Sequence, residues 1–298
     1  MSRTLRGAAA GAAALVLAGC GTGGPVGFTD DGRLTVVAGV YPLEWLATQV
    51  GGDDVAVEAL TEPGAEPHDL ELTPRQVGQV SEAGIALYIQ GMQPAVDEAV
   101  EQQAADHGLD AAEVVELRKA GGEDGGTDPH MWLDPERMAV LAEALGDRLA
   151  EADPDNADSY RANAKTVAGE LADIRAEYED GLGDCSQRDF VVSHEAFGYL
   201  ADAYDLNQIG VAGVEPDNEP SPARIGEVAK VVDEKGVDTI FTETLASPAV
   251  ANTIAEETGA TTAVLDPLEG ITDRSPGDDY PSIMHANLGA LSKALHCS

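Results

Sequence analysis

Four side chains able to bind a metal fall at comparable places in the two halves of the chain. His68 lies in Thr61-Glu62-Pro63-Gly64-Ala65-Glu66-Pro67-His68, directly after an apolar stretch ending at Leu60. His130 lies in Thr127-Asp128-Pro129-His130-Met131-Trp132, between a Gly-rich loop and a helical pattern. His194 closes Phe190-Val191-Val192-Ser193-His194, and Asp266 closes Ala263-Val264-Leu265-Asp266-Pro267. Neutral imidazole nitrogens and a carboxylate oxygen are good donors to Zn2+, and four such groups fill its tetrahedral shell. The order of divalent affinities leaves Mn2+, Fe2+ and Cu2+ open, but three imidazoles with one carboxylate favour zinc. Pro67 and Pro129 restrict the backbone just before two of the histidines. A metal-bound imidazole usually donates its other N–H to a carboxylate or carbonyl. Asp128, Glu195, Glu219 and Glu243 are the candidates, each equally readable as a solvated surface acid. His107, His285 and His296 sit in helix-end, last-helix and terminal contexts and are not assigned to the site.

Strand and helix signals alternate, which predicts α/β units. The strands are expected at Leu34–Ala38, Val55–Leu60, Ile85–Ile89 and Val114–Leu117, then at Phe190–Ser193, Gln208–Val211, Thr239–Thr242 and Thr262–Leu265. Helices are expected at Leu43–Val50, Pro74–Ala83, Pro94–His107, Pro135–Ala152, Phe197–Tyr204, Pro222–Lys235 and Pro248–Thr258. Between the two sets, Tyr160, Ala164, Val167, Leu171, Ile174 and Tyr178 recur at helical spacing after the capping pair Asp153-Pro154. A helix from Pro154 to Asp180 would run ~40 Å at 1.5 Å per residue. The expected fold is therefore α/β: two lobes, each with a mostly parallel sheet, joined by one long spine helix. The N-terminal lobe is placed at residues 33–152, the connecting helix at 153–184 and the C-terminal lobe at 185–298. Ligands of open α/β sheets collect at the carboxyl ends of strands, so a cleft between lobes would bring the four groups together.

The N-terminus carries Arg3 and Arg6, an Ala-rich apolar run, and then Leu17-Ala18-Gly19-Cys20. The run is too short to cross a bilayer and reads as a signal peptide, residues 1–19. The small residues before Cys20 form a lipobox, which predicts lipidation of Cys20. Residues 20–32 are expected to be a flexible Gly-rich tether. The chain would then sit at the outer face of the cytoplasmic membrane, held there by lipid. If Cys20 is lipidated, Cys185 and Cys297 remain of the three cysteines, and an oxidising compartment predicts one disulfide between them. The formal charge of −37 repels phosphates and excludes nucleic acid as a partner.

The same motifs, in this order, resemble the metal-binding lipoproteins of zinc and manganese ABC importers, the TroA-like or cluster A-I family. The resemblance runs from about Val36 to the C-terminus. It is carried by Tyr41-Pro42-Leu43-Glu44-Trp45, Gly64-Ala65-Glu66-Pro67-His68-Asp69, Asp128-Pro129-His130-Met131-Trp132-Leu133-Asp134-Pro135 and Ser193-His194-Glu195-Ala196-Phe197-Gly198-Tyr199-Leu200. Glu219-Pro220-Ser221-Pro222 and Glu257-Thr258-Gly259-Ala260 through Leu265-Asp266-Pro267-Leu268 complete it. It implies two lobes joined by a long helix, with His68, His130, His194 and Asp266 as ligands in the cleft. It also implies a monomeric, lipid-anchored carrier that delivers its ion to an ABC permease. Manganese-type members typically carry Glu at the third position, where this chain has His194. Many zinc members carry a His-rich acidic loop before the second ligand; residues 119–126 hold no histidine here.

Two readings of other classes compete. A secreted zinc hydrolase needs an open coordination position beside an acid or base. The His-Glu-x-x-His arrangement is absent, and the four groups are spread over both halves, so no catalytic residue is assigned. Surface adhesion would suit a lipid anchor but has no need of four spaced ligands.

Overall fold

The computed structural model describes residues 26–121, 126–216 and 220–298. The expected signal peptide, Cys20, the centre of the Gly-rich loop and Glu219 lie outside these residues.

The first half builds β1 (Leu34–Ala38), α1 (Tyr41–Gly51), β2 (Val55–Ala59), α2 (Pro74–Glu82), β3 (Ile85–Tyr88), α3 (Pro94–Gln103), β4 (Gly108–Asp110), the single turn α4 (Ala111–Val114) and α5 (Pro135–Ala152). A long helix follows, α6 (Ala157–Gly183). The second half builds β5 (Asp189–Val192), α7 (Gly198–Ala203), β6 (Asn207–Gly210), α8 (Pro222–Lys235), β7 (Thr239–Thr242), α9 (Ala249–Thr258), β8 (Thr261–Val264) and α10 (Tyr280–Ala294). Each half closes on a four-stranded parallel sheet, in the orders β2-β1-β3-β4 and β6-β5-β7-β8. The order leaves the first strand of each half inside its sheet, which is why Val36–Ala38 and Phe190–Val192 are buried.

Helix starts are written locally. Thr73, Asp134, Ser221 and Asp279 each accept a backbone N–H at the start of α2, α5, α8 and α10, with Pro in the first turn behind them. The long helix starts later than its capping pair suggests. Pro154–Asn156 form a 3-10 turn, and Asp153 spends its carboxylate on the Tyr160 hydroxyl (2.8 Å) and the Asn156 amide (2.8 Å) instead of a backbone cap. Tyr160, Ala164, Val167, Leu171, Ile174, Tyr178 and Leu182 form the buried stripe of α6. The stripe packs on α1 and α5 of one half and on α10 of the other, so one helix spans both lobes. Gly146 of α5 makes the closest crossing possible: a Cβ there would lie 2.6 Å from the Cβ of Ala164.

Three expectations are corrected. The fourth strand of the first sheet is Gly108–Asp110, paired with Ala86–Tyr88, and not Val114–Leu117. Asp110 caps the turn α4 through Ala112 N–H at 2.9 Å, which turns the β-branched run away from the sheet. The stretch to His107 is also not all helix, because α3 ends at Gln103 and the chain must reach β4. Finally, Gly27 and Phe28 do not hang free as a tether. Gly27 bridges Ala83, Phe28 bridges Leu34, and Gly27 accepts the Thr35 N–H at 2.8 Å. Cys185 and Cys297 are joined in a disulfide, tying the start of the second half to the C-terminal end.

Candidate metal centre

Both sheets aim the carboxyl ends of their strands at one place. The loop after β2 carries His68, the loop after β5 carries His194, and the loop after β8 carries Glu269. His130 arrives by another route, on a loop hydrogen-bonded to its own arm: Asp128 N–H donates to the Arg118 carbonyl and Ala120 N–H to that of Gly126, both at 2.9 Å.

The three Nε2 atoms converge on Glu269 Oε1, at 2.9 Å from His130, 3.2 Å from His194 and 3.3 Å from His68. His130 Nε2 and His194 Nε2 are 3.4 Å apart. A tetrahedral shell with ligands about 2.0–2.1 Å from zinc has edges of about 3.3–3.4 Å, which the 3.2–3.4 Å separations match, while the 2.9 Å contact of His130 with Glu269 is a hydrogen bond. All four side chains are buried. Glu269 Oε2 is also buried and has no hydrogen-bond partner among the described residues, a costly state for a carboxylate unless a cation shares it.

Two of the imidazoles have a carboxylate behind them, and the third is held through its loop. His130 Nδ1 lies 2.8 Å from Asp128 Oδ1, which also accepts the His130 backbone N–H at 3.0 Å. His194 Nδ1 lies 2.8 Å from Glu243 Oε1, off the hydrogen-bond axis, and the same oxygen accepts the His194 backbone N–H at 3.1 Å. His68 is held through its loop: Gln93 Nε2 donates to the Pro67 carbonyl (3.1 Å) and to Thr61 Oγ1 (3.0 Å), while Glu66 accepts the His68 N–H (3.2 Å). With Nδ1 of His130 hydrogen-bonded and that of His194 in contact with a carboxylate, their Nε2 atoms are left to face an ion. Of the four suggested supporting carboxylates, Asp128 and Glu243 stand behind the rings. Glu195 packs instead against Gly121 and Gly210.

Electrostatics follow the geometry. Burial works against charge on His130 and His194, but Asp128 and Glu269 raise the first, and Glu243 and Glu269 lift the second well above the ordinary imidazole value. Burial likewise disfavours a charged Glu269, yet the surrounding imidazoles, His194 foremost, hold it well below the usual carboxylate range. The site therefore stabilises one negative charge facing imidazoles that compete for protons or a cation.

Asp266, expected as the fourth member, is not there. Its Oδ1 accepts the Leu268 N–H at 2.9 Å and its Oδ2 the Thr244 hydroxyl at 3.3 Å, and Asn287 clasps its backbone on both sides. Burial pushes its pKa up. Its role is to fold the loop: Leu268 sits at φ 61, a left-handed conformation costly for a side chain, and this turn swings Glu269 towards the histidines. The sequence offered one signal for Glu269, a second carboxylate three residues beyond the first.

A cleft of about 410 Å3, lined in part by His68, Asp69, Met92, Thr127 and Glu215, adjoins the cluster on the His68 side. A second cavity of about 400 Å3 reaches the cluster from the His194 and Glu243 side.

Residues 36–294 match the family model described as ZnuA, zinc-uptake complex component A periplasmic. The zinc-binding protein AdcA of Streptococcus pyogenes is 33% identical over 287 residues, covering 88% of this chain. This chain spans only 56% of that relative's length. The high-affinity zinc uptake system protein ZnuA of Bacillus subtilis is 31% identical over 300 residues, covering 94% of each chain. A solved structure of the laminin-binding protein of Streptococcus agalactiae, described as bifunctional with adhesin and metal transporting activity, is 30% identical with a TM-score of 0.80. That match covers 88% of this chain and 99% of the other.

Proposed function

Since the chain belongs to the ZnuA family of zinc-uptake components, we propose that it captures Zn2+ between its lobes and delivers it to an ABC permease. His68, His130, His194 and Glu269 are the ligands in this reading. The observation that carries it is the convergence of three Nε2 atoms and one carboxylate oxygen, from both halves of the chain, at the spacings of a tetrahedral shell. Three imidazoles and one carboxylate favour zinc over manganese, which prefers oxygen-rich shells. The lipobox supports Cys20 as the lipidated end, and a monomer at the outer face of the cytoplasmic membrane is the form in which the carrier acts. The family relatives are named for binding or taking up zinc and not for a reaction, in keeping with a carrier and not a hydrolase.

In this mechanism the chain's residues do three things. Asp128 and Glu243 fix the rings of His130 and His194. Glu269 supplies the negative charge that offsets the cation. The cleft beside His68 lets the ion enter and leave. The test is a competitive titration of metal-stripped protein with Zn2+ and Mn2+, beside His194→Ala. Tighter binding of zinc, strongly weakened by the substitution, is the expected result. Equal affinity for the two ions, or zinc binding indifferent to His194→Ala, would refute the reading.

A further inference from the structure

The seam between the lobes has two differently built parts. One part is aromatic and buried. Trp45 of α1 stacks on Tyr280 of α10 with ring centroids 4.6 Å apart. The Tyr280 hydroxyl donates to the Trp132 carbonyl at 2.6 Å, and the Trp132 indole N–H donates to the Pro267 carbonyl at 2.7 Å. Next to it the seam is polar and carries a cavity of about 300 Å3 bounded by Asp134, Arg137, Arg175, Tyr199 and Asp202.

In that polar part Arg118 of the first half reaches across, beside Arg137, whose guanidinium lies 5.0 Å from the centre of the Tyr199 ring. Arg118 Nε donates to Asp202 Oδ2 at 3.0 Å and its Nη2 to Asp202 Oδ1 at 3.4 Å, a two-pronged contact with α7. Its backbone N–H donates to the Tyr199 hydroxyl at 2.8 Å, and that hydroxyl donates to the Asp128 carbonyl at 2.6 Å. The guanidinium lies against Gly198, where a Cβ would come within 1.7 Å of Nη1, so the first residue of α7 has to be glycine for the contact to form. The third prong points inward: Nη1 donates to Asp128 Oδ2 at 3.1 Å, while Asp128 Oδ1 holds the His130 ring. Asp202, Arg118, Asp128 and His130 thus form one chain of contacts from α7 to the ion site.

We propose that Arg118 is a positioning residue that latches the lobes, coupling the seating of α7 to the aim of His130 and thereby setting how long the ion stays bound. The inference rests on the zinc reading above. The buried aromatic contacts hold, and the more exposed Arg118 contact is the part of the seam that opens. When α7 moves off, Arg118 loses Asp202 and Tyr199 together, and Asp128 loses the fixed support that keeps its second oxygen in place. Asp202 is 65% exposed and the Arg118 side chain 29%, so the latch is weak enough to open and sensitive to salt.

The experiment is zinc release from loaded protein into excess chelator, followed by stopped flow, for wild type, Asp202→Asn, Arg118→Gln and the double variant. Asp202→Asn leaves the Arg118–Asp128 contact in place. It is expected to release zinc about 3- to 10-fold faster, to bind it within about twofold of the wild-type association rate, and to keep the metal-free melting temperature within about 1 °C. Arg118→Gln is expected to release about 10- to 100-fold faster, as for loss of an outer support to a ligand. The double variant should match Arg118→Gln alone, because both substitutions break one chain of contacts. Salt should quicken wild-type release and leave Asp202→Asn nearly flat. Wild-type release from Asp202→Asn overturns the latch whatever Arg118→Gln does, since Arg118 would then act within its own lobe only. A wild-type protein that retains no zinc is seen before any variant is made, and sinks the site reading itself.

Discussion

At the scale of residues, the site rests on a division of labour between two carboxylates in one loop. Glu269 faces the three imidazoles, while Asp266 folds the turn that puts it there. Glu269→Gln should therefore weaken zinc binding by more than the roughly 10- to 100-fold that loss of an outer partner produces. Asp266→Asn should mainly cost stability, on the order of 1–3 kcal/mol for a buried hydrogen-bonded group. Calorimetric titration and thermal unfolding of the two variants separate these effects; the reverse pattern would restore Asp266 as the ligand. Three histidines could be picked out because each follows a strand end or a Pro-bounded loop. The fourth member could not, because the choice between the carboxylates depends on a leucine in left-handed conformation, which leucine rarely adopts. The same cluster dictates a pH response. His130 and His194 are raised above their ordinary 6.5, so in metal-free protein their stabilisation is complete below that value and is lost as pH rises through the folded pKa. Glu269 is lowered from 4.5, so its contribution is present above that value and lost as pH falls. Metal-free protein should thus melt higher at about pH 6 than at about pH 8.5, whereas stabilisation by zinc should grow over that interval as protons cease to compete. Melting curves with and without zinc at the two pH values check the crossing trends.

At the scale of elements, α6 is the part most clearly written in the sequence. Its buried stripe recurs at helical spacing, and the helix that carries it contacts both lobes. Leu171→Ala, in the middle of the stripe and fully buried, should cost about 2–5 kcal/mol of stability while leaving zinc affinity nearly unchanged. Denaturant unfolding and zinc titration of that variant test both halves of the statement. Strands with continuous apolar runs were equally legible, because an inner parallel strand must be apolar on both faces. The short edge strand Gly108–Asp110 was not. It carries no apolar run, and its place is fixed by backbone pairing with β3 and by Gly108, where a Cβ would lie 3.0 Å from Val100. The disulfide followed from counting cysteines, since pairing needs no knowledge of the path between them. It closes a loop of 112 residues, and its removal by Cys185→Ser with Cys297→Ser should cost about 3–5 kcal/mol in the chain-entropy model, measured by denaturant unfolding.

At the scale of the whole molecule, two features govern behaviour in solution. The formal charge of −37 repels itself, so moderate salt should raise the melting temperature of metal-free protein even though it loosens surface ion pairs. In the proposed function one ion is shared by the two lobes, so saturation at about 100 times Kd should add about 2.7 kcal/mol. The second consequence depends on one ion being held jointly by the two halves. Among the described residues no helix is long and apolar enough to cross a membrane. The most direct test of that joint hold is a crystal structure of the zinc-loaded protein with anomalous diffraction at the zinc edge. The expected result is a single peak about 2.0–2.1 Å from the Nε2 atoms of His68, His130 and His194 and about 2.0–2.2 Å from a Glu269 oxygen. A peak bound by one lobe alone, or one that has Asp266 in place of Glu269, would contradict it.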